Sequence, residues 1–305
     1  MYYFIVNPKS SSGNGRKKWD LVANALKNRN VDYKVYFTRQ EGHAVFLSRK
    51  ICTHHNDITL VAVGGDGTAN EVLNGIADTT QITFGYIPTG SSNDLARALK
   101  IPSDPLAALE IILNPKQLID MNIGCLASPD DRMSFAVSCG IGFDAAVCHE
   151  ALHSRIKPFL NKIKLGKLTY LGIALKQLLL LKPSAMEVIL DGNETYHYED
   201  VYFITVMNQI YEGGGFMFCP DAKPDDGYLD ICVVEQMSKL RALSLLPTAF
   251  HGNHVRAKGV HILRCRQVQI KAPHPLPVHA DGELFDYQEE LTVQLAKQTL
   301  SFIVA

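Results

Sequence analysis

Up to about residue 120, apolar positions fall into short continuous runs separated by longer amphipathic stretches. The runs Tyr2–Val6, Tyr33–Thr38, Ile58–Val63 and Ile82–Ile87 read as buried strands, and the intervening Lys17–Asn28, Ala44–Thr53 and Ala69–Ala77 read as helices. In the first of these helices Trp19, Val22, Ala23 and Leu26 recur at helical spacing, with Lys17, Lys18 and Asn24 on the opposite side. Strand and helix alternating in this way predict an α/β doubly wound, mostly parallel sheet over residues 1–120.

Beyond Asp120 the pattern changes to short β-rich runs: Ser134–Cys139, Met186–Leu190, Tyr202–Val206, Leu229–Val234, Val260–Leu263, Val268–Lys271, Leu291–Leu295 and Leu300–Val304. Turn formers such as Asp191-Gly192 and Asp226-Gly227 separate several of them. The expectation is a second domain, residues 121–305, built as an antiparallel β-sandwich and interrupted by a helical insertion at about 151–181.

Composition narrows the class. Of 305 residues, 47% are hydrophobic and 20% charged, and the net charge is −1, so nothing draws the whole chain toward nucleic acid. The seven cysteines lack CxxC spacing and mostly sit in apolar runs, which favours buried thiols in a reducing cytoplasm over zinc or disulfides. Met1–Pro8 has neither the basic flank nor the cleavage site of a signal peptide, and Leu168–Leu181, interrupted by Lys176, is too short to span a bilayer. A cytoplasmic protein is expected.

Three loops carry candidate chemistry. In Val61-Ala62-Val63-Gly64-Gly65-Asp66-Gly67-Thr68-Ala69-Asn70-Glu71 a strand runs through three glycines into a helix. Glycines let the backbone turn tightly with its N–H groups open to an anion, and the capping-box spacing of Thr68 and Glu71 puts the positive end of the helix at the same point. A second loop of this construction, Pro88-Thr89-Gly90-Ser91-Ser92-Asn93-Asp94, also follows a strand, and Asn7-Pro8-Lys9-Ser10-Ser11 forms a third turn after the first strand. Loops at the carboxyl ends of a doubly wound sheet converge on one crevice, so the group predicts a polyphosphate site. The GxxxxGK[ST] and GxGxxG signatures are absent.

Four ordered motifs, Gly64–Gly75 (GGDGTANEVLNG), Pro88–Arg97 (PTGSSNDLAR), Pro220–Asp230 (PDAKPDDGYLD) and His279–Glu283 (HADGE), resemble the diacylglycerol kinase catalytic-domain family, bacterial lipid kinases related to sphingosine and ceramide kinases. The resemblance implies that ATP is held by Asn7, Pro8, Lys9, Ser10, Ser11, Thr38, Gly64, Gly65, Asp66, Gly67, Thr68, Ala69, Asn70, Ser91, Asn93 and Asp94. It implies Glu283 as general base, with Asp281 beside it, and a lipid alcohol as acceptor. A carboxylate suits that role, because a loose phosphoryl-transfer transition state needs the hydroxyl proton removed only as the new bond forms. Placement therefore outweighs basicity.

The resemblance also suggests a Mg²⁺ ion held by the Asp226 carboxylate and the main-chain oxygens of Lys223 and Tyr228, hard donors suited to that ion. Asp66, Asp94 and Asp226 would form an acidic network toward the phosphates. Asp144 resembles the residue that meets the lipid head group in sphingosine kinases, and it is equally suited to cap a helix beginning at Ala145. Between Ala151 and Met186 lie Arg155, Lys157, Lys162, Lys164, Lys167, Lys176 and Lys182 with no acidic residue, interleaved with apolar side chains. That mixture predicts peripheral contact of residues 151–182 with an anionic membrane, against the alternative of an amphipathic cover on the β domain.

Two other functions stay open on sequence alone. An NAD kinase shares the GGDGT cradle but would not need the basic stretch, and a catalytically silent lipid-binding protein would not need the acids at 66, 94, 226, 281 and 283. An exposed edge of the β domain offers a route to a homodimer.

Overall fold

The computed structural model describes residues 1–129, 131–153 and 166–305. The chain opens with β1 (Tyr2–Val6), a distorted turn α1 (Ser10–Gly13), α2 (Gly15–Asn28), β2 (Tyr33–Phe37), α3 (His43–His54), β3 (Ile58–Gly64), α4 (Asp66–Asn74), β4 (Ile82–Pro88), α5 (Asp94–Ala98), α6 (Pro105–Leu113) and β5 (Gln117–Met121). Strands β2, β1, β3 and β4 lie side by side in that order and are parallel. β1, β3 and β4 are almost wholly buried, as continuous apolar runs covered on both faces must be. Helix α2 buries Trp19, Val22 and Leu26, and the Trp19 ring lies 5.2 Å from that of Phe4 on β1. Strand order reverses direction between β1 and β3, the switch point at which doubly wound sheets bind ligands.

A second unit follows: β6 (Gly124–Ala127), β7 (Arg132–Phe135), β8 (Ser138–Gly142), α7 (Phe143–His153), α8 (Gly166–Leu180), β9 (Ser184–Leu190), β10 (Glu194–Met207), β11 (Leu229–Glu235), α9 (Lys239–Ala249), β12 (Val260–Cys265), β13 (Gln267–Ala280) and β14 (Glu283–Leu295). Every strand pairing among them is antiparallel. Two long strands fold the sheet over. β10 and β13 pair with β9 along their first halves and with β8 along their second, the register shifting between Tyr198 and Val201 and between Lys271 and Leu276. Pro273 and Pro275 lie in the second break, where the ladder loses two N–H donors. The enclosed core is aliphatic, with Val188, Ile204, Ile231, Val268, Val278 and Val293 among its members.

Two sequence-based boundaries need correction. The last strand, β15 (Leu300–Val304), belongs to the first unit, which comprises Met1–Ile123 and Ala296–Ala305; the second is Gly124–Leu295. β15 lies parallel to β4 and antiparallel to β5, with Phe302 against Phe84 at 5.0 Å. Its apolar run fits either sheet, and the pattern alone does not say which. The helical insertion starts at Phe143 rather than Ala151, so Asp144 stands in the first turn of α7. Residues 154–165, with Arg155, Lys157, Lys162 and Lys164, lie outside the described residues. Among the described residues no helix is long and apolar enough to cross a membrane.

Candidate active site

In the first unit the loops after β1, β3 and β4 are tied directly to one another. Asn7 Nδ2 donates to Thr68 Oγ1 at 3.1 Å, across the switch point, and the Ser10 and Thr89 hydroxyls meet at 2.7 Å. The Asp94 N–H donates to Asp66 Oδ2 at 3.1 Å, while Arg97 donates to Asp94 Oδ1 at 2.6 Å. Gly65 and Gly90 bring the second and third loops into backbone contact: a Cβ on Gly90 would stand 2.5 Å from Gly65 Cα. Asn93 closes its own loop, accepting from Gly90 N at 2.9 Å and donating to Gly90 O at 3.0 Å, in the left-handed conformation that asparagine tolerates.

These contacts show where each expected residue lies. Gly64, Gly65, Asp66, Gly67, Thr68, Ala69 and Asn70 form the strand end and first turn of α4, with Thr68, Ala69 and Asn70 buried. The expected Thr68–Glu71 capping box does not form: Gly65 is the N-cap, and Glu71 Oε2 accepts from Ala44 N at the start of α3. Glu71 therefore braces a neighbouring helix, yet the positive end of α4 still opens at the loop. Lys9 donates its N–H to Asn7 Oδ1 and its Nζ to Arg39 O, Pro8 is half-buried and Ser11 has a positive φ of 56°. Thr38 follows β2, its N–H on Val6 O at 2.9 Å. Ser91 is exposed, and the enclosed hydroxyl of its loop is that of Thr89.

Tyr86 was not singled out from the sequence. Its hydroxyl is buried among Gly64 O, Asp66 Oδ1 and Asn93 Oδ1 at 3.4–3.5 Å, and burial, with Asp66 and Asp94 nearby, pushes its pKa well above the ordinary value. It stays a neutral donor beneath the loops. A polar tip in the apolar β4 run was the available signal.

In the second unit the Asp281-Gly282 turn joins β13 to β14, with φ values of 51° and 82° and Ala280 opposite Glu283. Both residues sit in the left-handed region, as a two-residue hairpin turn requires. The Asp281 carboxylate accepts three backbone N–H groups, from Ala136 at 2.8 Å, Val137 at 2.8 Å and Ser138 at 3.0 Å. Three of its acceptor sites are committed to holding the turn. Glu283 is half-buried at the start of β14, directly after this turn.

Behind the turn, His279 Nε2 lies 3.2 Å from Asp144 Oδ2 and 3.1 Å from Glu212 Oε1, and its Nδ1 accepts the Gly282 N–H at 3.2 Å. Asp144 also accepts from Ala145 N at 2.8 Å, so it partly caps α7 as well. Burial raises the Asp144 pKa against the counter-pull of His279. Glu212 escaped the sequence reading, isolated in a polar loop before Gly213; its Oε2 accepts from Thr205 Oγ1 at 3.0 Å.

Alongside lies a small apolar cleft of about 30 Å³, lined by Phe143, Tyr202, Phe203, Phe218, Leu245 and Leu246 among others. His254 also lines it, its Nε2 donating to Phe218 O at 3.1 Å and its Nδ1 buried without a partner.

At the expected metal loop, Asp226 Oδ1 accepts from Tyr228 N at 3.1 Å and Oδ2 pairs with Arg264, while Lys223 is exposed. Asp230 Oδ2 is buried with no partner, and its pKa is raised by burial and by Asp226 and Asp221. An unsatisfied oxygen in this acidic, all-oxygen donor set fits a hard divalent cation, and Arg264 at present balances part of the acids' charge.

Comparison with known proteins finds relatives of both units. Residues 1–125 match the profile of the diacylglycerol kinase catalytic domain, and 137–303 match the YegS C-terminal NAD kinase beta sandwich-like domain. A candidate lipid kinase of Bacillus subtilis, YtlR, is 29% identical over 93% of this chain and 93% of its own. A diacylglycerol kinase of Mycobacterium tuberculosis is 30% identical over 92% of this chain and 87% of its own. In fold, a diacylglycerol kinase from Bacillus anthracis aligns with a TM-score of 0.70 at 20% identity, covering 100% of this chain and 97% of that one. An NAD kinase from Archaeoglobus fulgidus, solved in complex with ATP, aligns at 0.55 and 16%, covering 99% and 93%.

Proposed function

The chain belongs to the diacylglycerol kinase family of lipid kinases, and from that premise we propose that it transfers the γ-phosphate of ATP to a lipid hydroxyl, most simply that of diacylglycerol, giving phosphatidic acid. The carrying observation is the Asp281-Gly282 turn: three N–H groups occupy the Asp281 carboxylate and tie it to the turn, which favours Glu283, two residues on, for proton abstraction. Glu283 takes the hydroxyl proton as the oxygen attacks γ-phosphorus; the bond to the β–γ bridging oxygen breaks, and ADP leaves. The three tied loops of the first unit hold the phosphates through backbone N–H groups and the N-terminus of α4. Asp226, with the carbonyls of Lys223 and Tyr228, would hold Mg²⁺, which offsets negative charge when bound.

The apolar lining of the cleft supports a lipid acceptor over NAD⁺, because its side chains suit contact with an acyl chain and offer a dinucleotide almost no polar partner. Around it Leu179 is 63%, Leu180 64% and Leu240 81% exposed, with Lys182 and Arg241 also exposed, which supports peripheral docking of 151–182, now joined by α9, on an anionic bilayer. Sedimentation with phosphatidylglycerol vesicles checks this: binding unchanged by Lys182→Glu with Arg241→Glu contradicts it.

Incubation with γ-labelled ATP and Mg²⁺ against a panel of lipid alcohols in mixed micelles, with NAD⁺ as soluble acceptor, tests the main reading. Label in diacylglycerol or another lipid supports it. Label in NAD⁺ alone, or in nothing, contradicts it.

A further inference from the structure

His279 is fully enclosed and touches three partners that belong to three different elements of the second unit. Resting on the reading of Glu283 as base, we infer that His279 is a positioning residue for it: the ring ties the Gly282 N–H, next to Glu283, to the buried carboxylates Asp144 on α7 and Glu212 after β10.

The tautomer follows from the contacts. Nδ1 accepts the Gly282 N–H, so it carries no proton, and the ring hydrogen sits on Nε2. Nε2 faces two carboxylates at 3.2 and 3.1 Å with that one hydrogen, so Asp144 and Glu212 share it. Protonating Nδ1 would set two N–H groups against each other and release the turn. Burial disfavours charge on His279, and Cys148 with the Asp144 and Glu212 carboxylates favours it, so the ring and the two acids hold their protons jointly as one cluster.

The neighbouring backbone is shaped around this arrangement. A Cβ on Gly140 would lie 2.0 Å from Asp144 Oδ2 and 2.8 Å from His279 Nε2, so only glycine leaves β8 room for the His279–Asp144 contact. Asp281 is held by residues 136–138 and Gly282 by His279, so the turn is anchored on both sides of its tip. Glu283 leaves that tip directly into β14, and any slack in Gly282 passes to it. A misplacement of about 1 Å in a reacting group costs on the order of 100-fold in rate.

His279→Gln and His279→Asn separate the two halves of the linkage. A glutamine amide reaches the Nε2 position and keeps a donor for the acids; an asparagine oxygen reaches the Nδ1 position and keeps an acceptor for Gly282. The expected result is a kcat lowered ~30-fold or more in His279→Gln, with KM for ATP and lipid within about twofold, and a kcat within ~10-fold of wild type in His279→Asn. In a Glu283→Gln background, His279→Gln should cost less than about twofold more. Thermal unfolding confirms that each variant folds; should either fail, Glu212→Gln, of equal volume, is expected to lower kcat ~10-fold at unchanged KM. Hydrogen exchange at the Gly282 amide reads the linkage without catalysis and should quicken in His279→Gln but not in His279→Asn. If wild type phosphorylates no lipid, the kinase reading fails while exchange still judges the linkage. Equal kcat losses in the two variants with unaltered Gly282 exchange overturn the inference. So does stabilisation of chelator-treated protein by Mn²⁺ or Zn²⁺ that His279→Asn abolishes, since the three side chains would then serve a cation.

Discussion

Gly65 and Gly90 touch backbone to backbone: a Cβ added to Gly90 would lie 2.5 Å from Gly65 Cα, and one added to Gly65 would lie 3.2 Å from Gly90 Cα. The contact sets the gap between the two loops proposed to hold phosphate.

A graded loss is therefore expected. Gly90→Ala must push the loops apart, because the obstructing atom is backbone; Gly65→Ala needs only a few tenths of an ångström. ATP affinity measured by calorimetry should fall ~10-fold or more in Gly90→Ala and less in Gly65→Ala, with the fold intact by circular dichroism. The reverse order would remove these glycines from the nucleotide site.

Asp281→Asn should destabilise the second unit. The amide retains one acceptor oxygen, so an N–H donor faces at least one of the Ala136, Val137 and Ser138 donors, at a cost of about 1–3 kcal/mol. Urea denaturation measures it, and kcat should fall along with stability. Unchanged stability would mean the three bonds contribute nothing.

His254 gives the apolar cleft a pH dependence. Burial holds its pKa below the ordinary 6.5, against the opposing effect of the bond to Phe218 O. The unfolded chain thus binds the proton more readily, and the stability from a neutral His254 is fully present above about pH 6.5 and lost as pH falls through the depressed folded value. His254→Gln keeps a donor for Phe218 without titrating, so its denaturation midpoint should change less between pH 7.5 and 5.5 than that of wild type. Identical slopes would contradict this.

Much of this architecture was readable from residue pattern, and the failures have physical causes. The β1, β3 and β4 runs announce a covered parallel sheet, because only strands buried on both faces are continuously apolar. β15 looks like any half-buried strand, and its sheet is decided by long-range pairing with β4 and β5. Asp281-Gly282 reads locally as a hairpin turn, which it is, but the donors at 136–138 that capture its carboxylate lie over 140 positions away. Glu71 sits at capping-box spacing and was taken instead by Ala44 of another helix. Glu212 has no periodic or motif context, so only the fold brings it to His279.

Filling the cleft should act on chain length alone. Leu246→Trp adds bulk to the lining near Phe143 and Phe203. KM for long-chain diacylglycerol should rise ~10-fold, while KM for ATP and for a short-chain analogue moves less than about twofold. Equal effects on both lipids would place the acyl chain elsewhere.

The most direct measurement is single-turnover phosphoryl transfer by Glu283→Gln beside wild type, with ATP and lipid binding measured on the same preparations. Loss of the chemical step by ~100-fold or more, with both affinities within about twofold, is the predicted result for a general base. A Glu283→Gln protein that transfers phosphate at the wild-type rate would contradict the assignment of Glu283 and the mechanism built on it.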